Sequence, residues 1–522
     1  MGSKMQDWHV ERPFVQALDA APVVGFRRRR SRDQETEGEG DSFKLIDHLR
    51  KRCSDCFQLM KERKRCGACK LLHYCSEKCQ RNDWPVHRFE CIPIRHAIQV
   101  EEFEAANDSW ARLLGRFVIR IHHAAASPLR PNEPSDNPSS SSSSSSWYGL
   151  ESWSVDKLSL RSHPDPDAED WGLEHRWILV RQRFRTLYQF TRVAAITDEQ
   201  LYQLFLKLKF YAVPILDYHV ESGSVQIGIG LYLNMSRFGH SCDPDLIAIF
   251  DGSLMKVRCV KNTPKSVGQL TLDYTTLKRC EERLSHAVVF LQDRKEWLKW
   301  RQYIDCECSL CRNSEREVVM RTATQALCSV CGDGVLCAPL GEDFLFCSIC
   351  DHKNPDVVKA REYQQVIKST EKTIQEHWFA VSDEVTIRKY MEDYDRAASV
   401  LHPLQSVVLM QCHEDLLQIH GASAGLLAQD SERRRASARL ALRYGEKLIL
   451  QYDYYVDQVK SEWPTTVYMQ MARLYDEVEE PTKAAIMYKK AALAYAQRFG
   501  KTHPLVLEVA QKMKALLQKM KK

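Results

Sequence analysis

The spacing of apolar residues changes character along the chain. From about residue 357 to the end it is helical, with breaks near Pro403, Pro464, Pro481 and Pro504. Between 225 and 275 the pattern shortens. Gly223, Gly228, Gly230, Gly252 and Gly268 punctuate runs such as Leu246-Ile247-Ala248-Ile249-Phe250 and Met255-Lys256-Val257-Arg258-Cys259-Val260, which predicts short antiparallel strands. Thr197-Asp198-Glu199-Gln200 ahead of an apolar run is a capping-box pattern and predicts a helix over 198–211. Residues 98–123 also read as helical, and Glu11-Arg12-Pro13-Phe14-Val15 as one short strand. Ser127 to Ser146 holds four prolines and eight consecutive serines, so a flexible loop is expected there. Arg27 to Arg30 and the acidic stretch to Asp41 read as a solvated, disordered insertion rather than an import signal.

Composition narrows the class. A chain of 522 residues with 44% hydrophobic residues is expected to build several compact units. A net charge of +5 without a uniform basic face argues against nucleic acid as the main partner, so direct DNA binding is not expected. No run approaches 18 apolar residues and no apolar signal core opens the chain, so no membrane association is expected. The 19 cysteines cluster in C-x-x-C and C-x-C spacings, which suits metal thiolates in a reducing compartment, nucleus and cytoplasm.

The densest cluster is Cys53-x2-Cys56, Cys66-x2-Cys69, Cys75-x3-Cys79, His87-x3-Cys91. Eight ligands fill two closed tetrahedral Zn²⁺ sites of structural type. The alternation of pairs suggests a cross-brace. Cys53, Cys56, Cys75 and Cys79 would take one ion, and Cys66, Cys69, His87 and Cys91 the other. Each x3 spacing fits one helical turn. Cys328-x2-Cys331 with Cys347-x2-Cys350 has the spacing of a zinc ribbon. With Tyr74-Cys75-Ser76-Glu77-Lys78-Cys79-Gln80 and Trp84-Pro85-x-His87, the first cluster resembles the MYND finger family, a protein-interaction module. The resemblance implies proline-rich peptide partners.

Further on come Gly228-Ile229-Gly230-Leu231-Tyr232, Ser236-Arg237-Phe238-Gly239-His240-Ser241-Cys242-Asp243-Pro244, Leu270-Thr271-Leu272-Asp273-Tyr274 and Cys306-x-Cys308-x2-Cys311. This set resembles the second half of a SET domain, in the subfamily that a MYND finger interrupts. The resemblance implies methyl transfer from S-adenosylmethionine to a protein lysine, with histones or other chromatin-associated proteins among the substrates. It places Ser236, Gly239, His240 and Tyr274 against the cofactor and makes Tyr274 the catalytic residue. It also implies a third, four-thiolate zinc site of Cys242 with Cys306, Cys308 and Cys311, because the triplet otherwise lacks a fourth ligand. About four Zn²⁺ per chain follow. Cys259, Cys280, Cys337 and Cys412 remain as core residues.

The implied architecture is α+β and multidomain: a small antiparallel SET domain interrupted by the finger, then an α-helical tetratricopeptide-like domain. Its segments are 1–50 (a truncated or divergent first SET segment), 51–92 (finger), 93–195 (helical insertion with the serine loop), 196–278 (SET core), 279–355 (post-SET and ribbon) and 356–522 (helical domain). The Ala484, Ala485, Tyr488, Ala491, Ala492, Tyr495 stripe reads as helix packing. His402 and His503 each precede proline and read as turn residues. A monomer is expected.

Four positions depart from the family pattern. No Gly-x-Gly precedes Cys53 except Gly38-Glu39-Gly40 in the acidic linker. Gly239 stands where the family has asparagine. Tyr211-Ala212 replace an Asn-Ser pair, and Ile304 replaces an aromatic residue. An amide lost from a built site costs about 1–3 kcal/mol. Two readings therefore stand side by side: a lysine methyltransferase, and a SET scaffold that presents its finger and helical tail to partners.

Overall fold

The computed structural model describes residues 7–11, 15–18, 51–100, 102–126, 158, 171–219, 223–261, 266–275, 295, 297–309, 311–312, 323–337, 345–350, 352–354, 365, 369, 384–426, 431–455 and 465–520. The chain is mixed α and β, with small sheets and a C-terminal run of helices. It divides into two units. The first holds Met1–Asp217, Ser224–Cys280 and Trp300–Ile304; the second holds Tyr218–Gly223, Glu281–Lys299 and Asp305–Lys522. The expectations for residues 21–50, for the serine loop and for Cys280 lie outside the described residues.

In the first unit, β1 (Asp7–Glu11) and β2 (Val15–Leu18) fall in different sheets. β2 runs antiparallel to β6 (Gly223–Leu231), which sits beside β5 (Ala212–His219). β1 runs antiparallel to β9 (Leu254–Cys259), at the edge of a five-stranded sheet ordered β1-β9-β8-β10-β7. The single strand expected over 11–15 is therefore not one: Glu11 closes β1 and Val15 opens β2, in different sheets, and residues 12–14 lie outside the described residues.

β8 (Leu246–Asp251) and β9 form a hairpin in which Asp251 pairs with Leu254. Gly252 at its tip has φ +58. A Cβ there would lie 2.2 Å from the Cys56 carbonyl oxygen, so conformation and space both require glycine. The expectation of purely antiparallel strands needs correction. β10 (Thr271–Leu272) pairs in parallel with both β7 (Gly239–His240) and β8.

The finger occupies 51–100. It carries the two-residue strands β3 (Lys64–Arg65) and β4 (His73–Tyr74), then α1 (Glu77–Gln99). Ser76 caps α1 by accepting from Cys79 N. The helix expected over 98–123 is three: the end of α1, α2 (Phe103–Asn107) and α3 (Ser109–Ala126). Asp108 restarts the chain, its Oδ1 accepting from Ala111 N at 2.7 Å. α4 (Trp171–Tyr188) packs on α3 where Gly115 has no side chain; a Cβ there would meet the Tyr188 ring at 2.2 Å. α5 spans Asp198–Tyr211 as expected, with the full Thr197/Gln200 capping box.

The second unit holds a four-stranded ribbon, β11 (Ala323–Leu327), β12 (Val335–Cys337), β13 (Leu345–Cys347) and β14 (Lys353–Asn354), with antiparallel neighbours in that order. Among the described residues six helices follow: α6 (Glu384–Val400), α7 (Val407–Leu426), α8 (Ser431–Tyr455), α9 (Thr465–Glu477), α10 (Pro481–Phe499) and α11 (Pro504–Lys519). The expected breaks near Pro403, Pro481 and Pro504 fall between helices, Pro464 lies outside the described residues, and successive helices pack on one another. Ala484, Tyr488, Ala491 and Tyr495 are buried on α10, the i, i+4, i+7, i+11 stripe of a packed face. His503 caps α11 through a bond accepted from Leu505 N, and His402 likewise lies in a turn. Among the described leftover thiols, Cys337 and Cys412 are core residues, whereas Cys259 is only half-buried, its Sγ–H donating to Lys261 O at 2.8 Å.

A polar chain crosses the helical core. Lys447 Nζ donates to Tyr394 Oη at 2.7 Å, and Tyr394 Oη lies 3.2 Å from His413 Nε2. His413 Nδ1 is 2.7 Å from Gln451 Oε1, and Gln451 Nε2 donates to Ser406 O at 3.1 Å. Burial, aided by the nearby Lys447 charge, pushes His413 down to about 4. The folded state therefore resists the proton that an unfolded histidine takes up near pH 6.5. This contribution is complete above that pH and is lost as pH falls from about 6.5 to about 4, about 3 kcal/mol in all. Peptide-resolved hydrogen exchange should show α7 opening more easily at pH 5.5 than at pH 7. A His413→Gln variant should lose most of that difference; an equal difference in the variant would place the sensitivity elsewhere.

Candidate metal centres and the His240–Tyr274 site

Within the finger, the ligand atoms of Cys53, Cys56, Cys75 and Cys79 lie within 4.8 Å of one another, as do those of Cys66, Cys69, His87 and Cys91. The groups alternate along the chain. Their spacing suits zinc. A tetrahedron with Zn–S near 2.3 Å has edges of roughly 3.8 Å. Here Cys56–Cys75 is 3.7 Å, Cys75–Cys79 3.5 Å and Cys66–Cys91 3.6 Å. His87 Nε2 lies 3.6 Å from Cys69 Sγ and 3.4 Å from Cys66 Sγ, which makes Nε2 the ligand atom. Edges all between 3.4 and 3.7 Å suit a shared ion in each group better than a ring of weak thiol hydrogen bonds. One expectation changes: His87 and Cys91 share a turn of α1, but Cys75 precedes the Ser76 cap and lies outside the helix.

The sequence pattern missed what stands behind His87. Its Nδ1 faces Glu90 Oε2 at 3.9 Å. Glu90 is fully buried and accepts from Arg116 Nε at 2.8 Å and from Tyr188 Oη at 3.1 Å, with Arg112 3.5 Å away. Arg116 also donates to Asp83 at 2.9 Å, and Asp83 accepts from Tyr74 Oη at 2.7 Å. Burial pushes the Glu90 carboxyl up, but the Arg116 and Arg112 guanidinium groups outweigh it and hold the acid well below the usual carboxylate range. A carboxylate behind a ligand histidine orients the ring. The signal lay in two periodicities: Asp83 and Glu90 seven apart on α1, Arg112 and Arg116 four apart on α3.

The finger also meets the strand block. Ser253 N donates to Cys56 O at 2.9 Å, Ser253 Oγ to Asp55 O at 3.1 Å and Gln58 Nε2 to Asp251 Oδ1 at 2.7 Å. In the ribbon, Cys328, Cys331, Cys347 and Cys350 form another four-thiol group, with Sγ pairs at 3.6 and 3.9 Å. Of the remaining expected set, Cys242 belongs to the first unit and Cys306, Cys308 and Cys311 to the second. Cys242, Cys306 and Cys311 are buried.

The residues expected at the cofactor gather where β7 meets β10. Tyr274 begins a helical turn just after β10 and is 6% exposed, so it is not an ordinary strand tyrosine. Its hydroxyl donates to Phe238 O and its backbone N–H to His240 Nδ1, the latter at 3.2 Å. His240 Nε2 lies 3.2 Å from Cys242 Sγ. Gly239 is exposed, and a Cβ there would meet nothing within 4 Å. Ser236 Oγ donates to Leu233 O at 2.6 Å, which closes its own turn. Tyr211 and Ala212 are buried. The aromatic residue near Ile304 is Tyr303, whose ring lies 5.0 Å from that of Phe210. Among the described residues, no helix is long and apolar enough to cross a membrane.

The MYND finger family model matches residues 53–91. The chain is 27% identical over 276 residues to histone-lysine N-methyltransferase SMYD3 of Homo sapiens, which covers 52% of this chain and 54% of that protein. It is 27% identical to SET domain and MYND-type zinc finger protein 6 of Schizosaccharomyces pombe, over 51% of this chain and 44% of that one. With N-lysine methyltransferase SMYD2 of Homo sapiens it shares 22% identity over 89% of this chain and 88% of that protein. The chain thus spans about half the length of the first two relatives and most of the third.

Two outcomes are expected of the finger. Burial pushes the Cys79 and Cys91 thiols up to about 12 in the metal-free clusters, so zinc binding must displace protons. Zinc retention against a competing chelator, corrected for the chelator's own protonation, should therefore strengthen from pH 6 to pH 8. A flat or inverted profile would contradict thiolate ligation. Separately, Arg116→Leu leaves Glu90 and Asp83 buried without their cation, which costs about 3–5 kcal/mol. Chemical denaturation followed at the finger should show that loss; a change under 1 kcal/mol would demote the network.

Proposed function

We propose that the chain is a divergent member of the SET and MYND domain protein-lysine methyltransferase family, and that it methylates lysine side chains of protein substrates. In this reading residues 196–278 are the SET core, the C-terminal helices are a tetratricopeptide-like domain, and the finger receives proline-rich segments of partners. Histones and other chromatin-associated proteins are the proposed substrate class, and nucleus and cytoplasm the proposed sites of action.

The observation that supports the reading best is the pairing of the buried Tyr274 hydroxyl with the Phe238 carbonyl beside the open space at Gly239. S-adenosylmethionine, when bound, supplies a methyl group on a sulfonium. Phe238 O and Tyr274 Oη are the polar oxygens this segment offers to a polarised methyl. His240 Nδ1 accepts the Tyr274 N–H, which fixes the backbone that carries the hydroxyl. The lysine must arrive as a neutral amine, because an ammonium has no lone pair with which to attack. The chain's residues therefore orient and exclude water rather than form a covalent intermediate.

Three proteins test this. Zinc-loaded protein should bind S-adenosylhomocysteine in calorimetry, and Tyr274→Phe should lower methylation about a hundredfold, roughly 3 kcal/mol of barrier. Gly239→Asn should tighten cofactor binding about five- to twentyfold, since one well-placed amide contributes about 1–2 kcal/mol and the space for it is open. If neither native protein nor Gly239→Asn binds at high micromolar ligand, the scaffold reading replaces the enzyme. Methylation that survives Tyr274→Phe unchanged would move the site.

A further inference from the structure

The thiol groups differ in what protects them. In the finger's second group all four ligand residues are buried, and His87 is backed by Glu90 and Arg116. The finger's first group is open, with Cys75 exposed and Cys56 and Cys79 half-buried. In the ribbon, Cys350 is exposed and Cys331 half-buried. The knuckle residues Val330 and Ile349 are each 61% exposed. The ribbon's apolar cluster is Ala326, Cys328, Leu336, Leu345 and Cys347, with Cys331 against it, so half of its core is ligand. Such a segment cannot hold its shape without the ion. Gly334 leaves no room for a substitute wall, because a Cβ there would lie 2.3 Å from Cys347 Sγ.

Among the described residues the ribbon meets the helices of its own unit at Leu401 and His402. His402 is 5% exposed. Its Nε2–H donates to Asp333 O, in the first knuckle, at 2.9 Å. Its Nδ1 accepts from Leu404 N and Gln405 N, both at 3.1 Å, which shapes the corner between α6 and α7. Beside it Ala326 forms a β-bridge with Leu401. One imidazole thus spans a zinc knuckle and a helix corner.

We propose that the ribbon is an oxidation-labile zinc site whose ion leaves before that of the finger's second group, and that its loss releases the α6–α7 corner through His402. The oxidant class is a peroxide. The exposed Cys350 thiolate attacks a peroxide oxygen to give a sulfenic acid and hydroxide. A neighbouring thiolate, such as Cys328 at 3.9 Å, then displaces a second hydroxide to form the disulfide. Two thiolates and one hydrogen peroxide yield one disulfide and two hydroxide ions, and zinc departs still as Zn²⁺. This does not rest on the methyl-transfer reading.

The test uses full-length, zinc-loaded protein titrated with hydrogen peroxide. Zinc release is followed with a chromogenic chelator, disulfides by peptide mapping and backbone opening by hydrogen exchange. Loss of the ribbon zinc should come with disulfides among Cys328, Cys331, Cys347 and Cys350 while Cys66, Cys69 and Cys91 stay reduced. Exchange over 401–410 should rise at least tenfold while α10 and α11 stay unchanged. His402→Phe should keep the ribbon zinc yet show fast exchange at 401–410 before any peroxide is added. Cys350→Ser should abolish rapid disulfide formation in the ribbon. The proposal fails if disulfides reach Cys66, Cys69 or Cys91 before the ribbon, if rapid ribbon disulfides survive Cys350→Ser, or if 401–410 stays protected once the ribbon zinc has gone.

Discussion

Sulfurs held 3.5 to 3.7 Å apart repel as thiolates unless a dication sits among them. That constraint comes first in the finger, because residues 51–100 carry only two two-residue strands before α1. Once the ions fix the ligand loops, α1 is held by His87 and Cys91. The same helix then presents Asp83 and Glu90 to Arg116 of α3. A buried ion network of this kind repays its desolvation only when each charge finds its partners, so α3 has one seating. Gly115 on α3 in turn admits Tyr188, whose hydroxyl returns to Glu90. Metal, charge pair and helix contact form one dependent series.

The first zinc loop works on the strands in the same way. The Cys56 carbonyl accepts from Ser253 N, at a hairpin tip where only glycine fits beside it. β8 and β9 are therefore held in register both by their own ladder and by the finger. β8 also pairs with β10, which leads to Tyr274. The finger is built into the scaffold that positions His240 and Tyr274, as well as offering a surface of its own.

Local chemistry was the readable part of the chain. The capping box at Thr197, the helix breaks at prolines and the ligand groups of the finger and ribbon all depend on residues close in sequence. What escaped depends on distance or on one special residue. The parallel pairing of β10 with β7 joins residues more than 30 apart, and no periodicity records it. The restart at Asp108 hinged on one side chain that caps a helix inside an otherwise continuous apolar pattern. The network behind His87 was visible only as spaced charges on two helices, and its meaning required knowing that those helices face each other.

The divergence at Gly239 then acquires a definite sense on the proposed reading. The asparagine expected there would add an amide toward the cofactor's amino-acid end. It takes no part in the Tyr274–Phe238 pair, which comes from other residues and is in place. A contact made equally in ground and transition states sets affinity, whereas groups aimed at the transferred methyl set the chemical step. Loss of the amide therefore weakens cofactor capture and leaves the barrier to transfer largely as it was. The same logic separates the zinc sites. The finger's second ion sits behind buried ligands and a charge network and holds the scaffold constant, whereas the ribbon's open knuckles let its state follow the surroundings. Constancy in one group and responsiveness in the other follow from how far each is withdrawn from solvent.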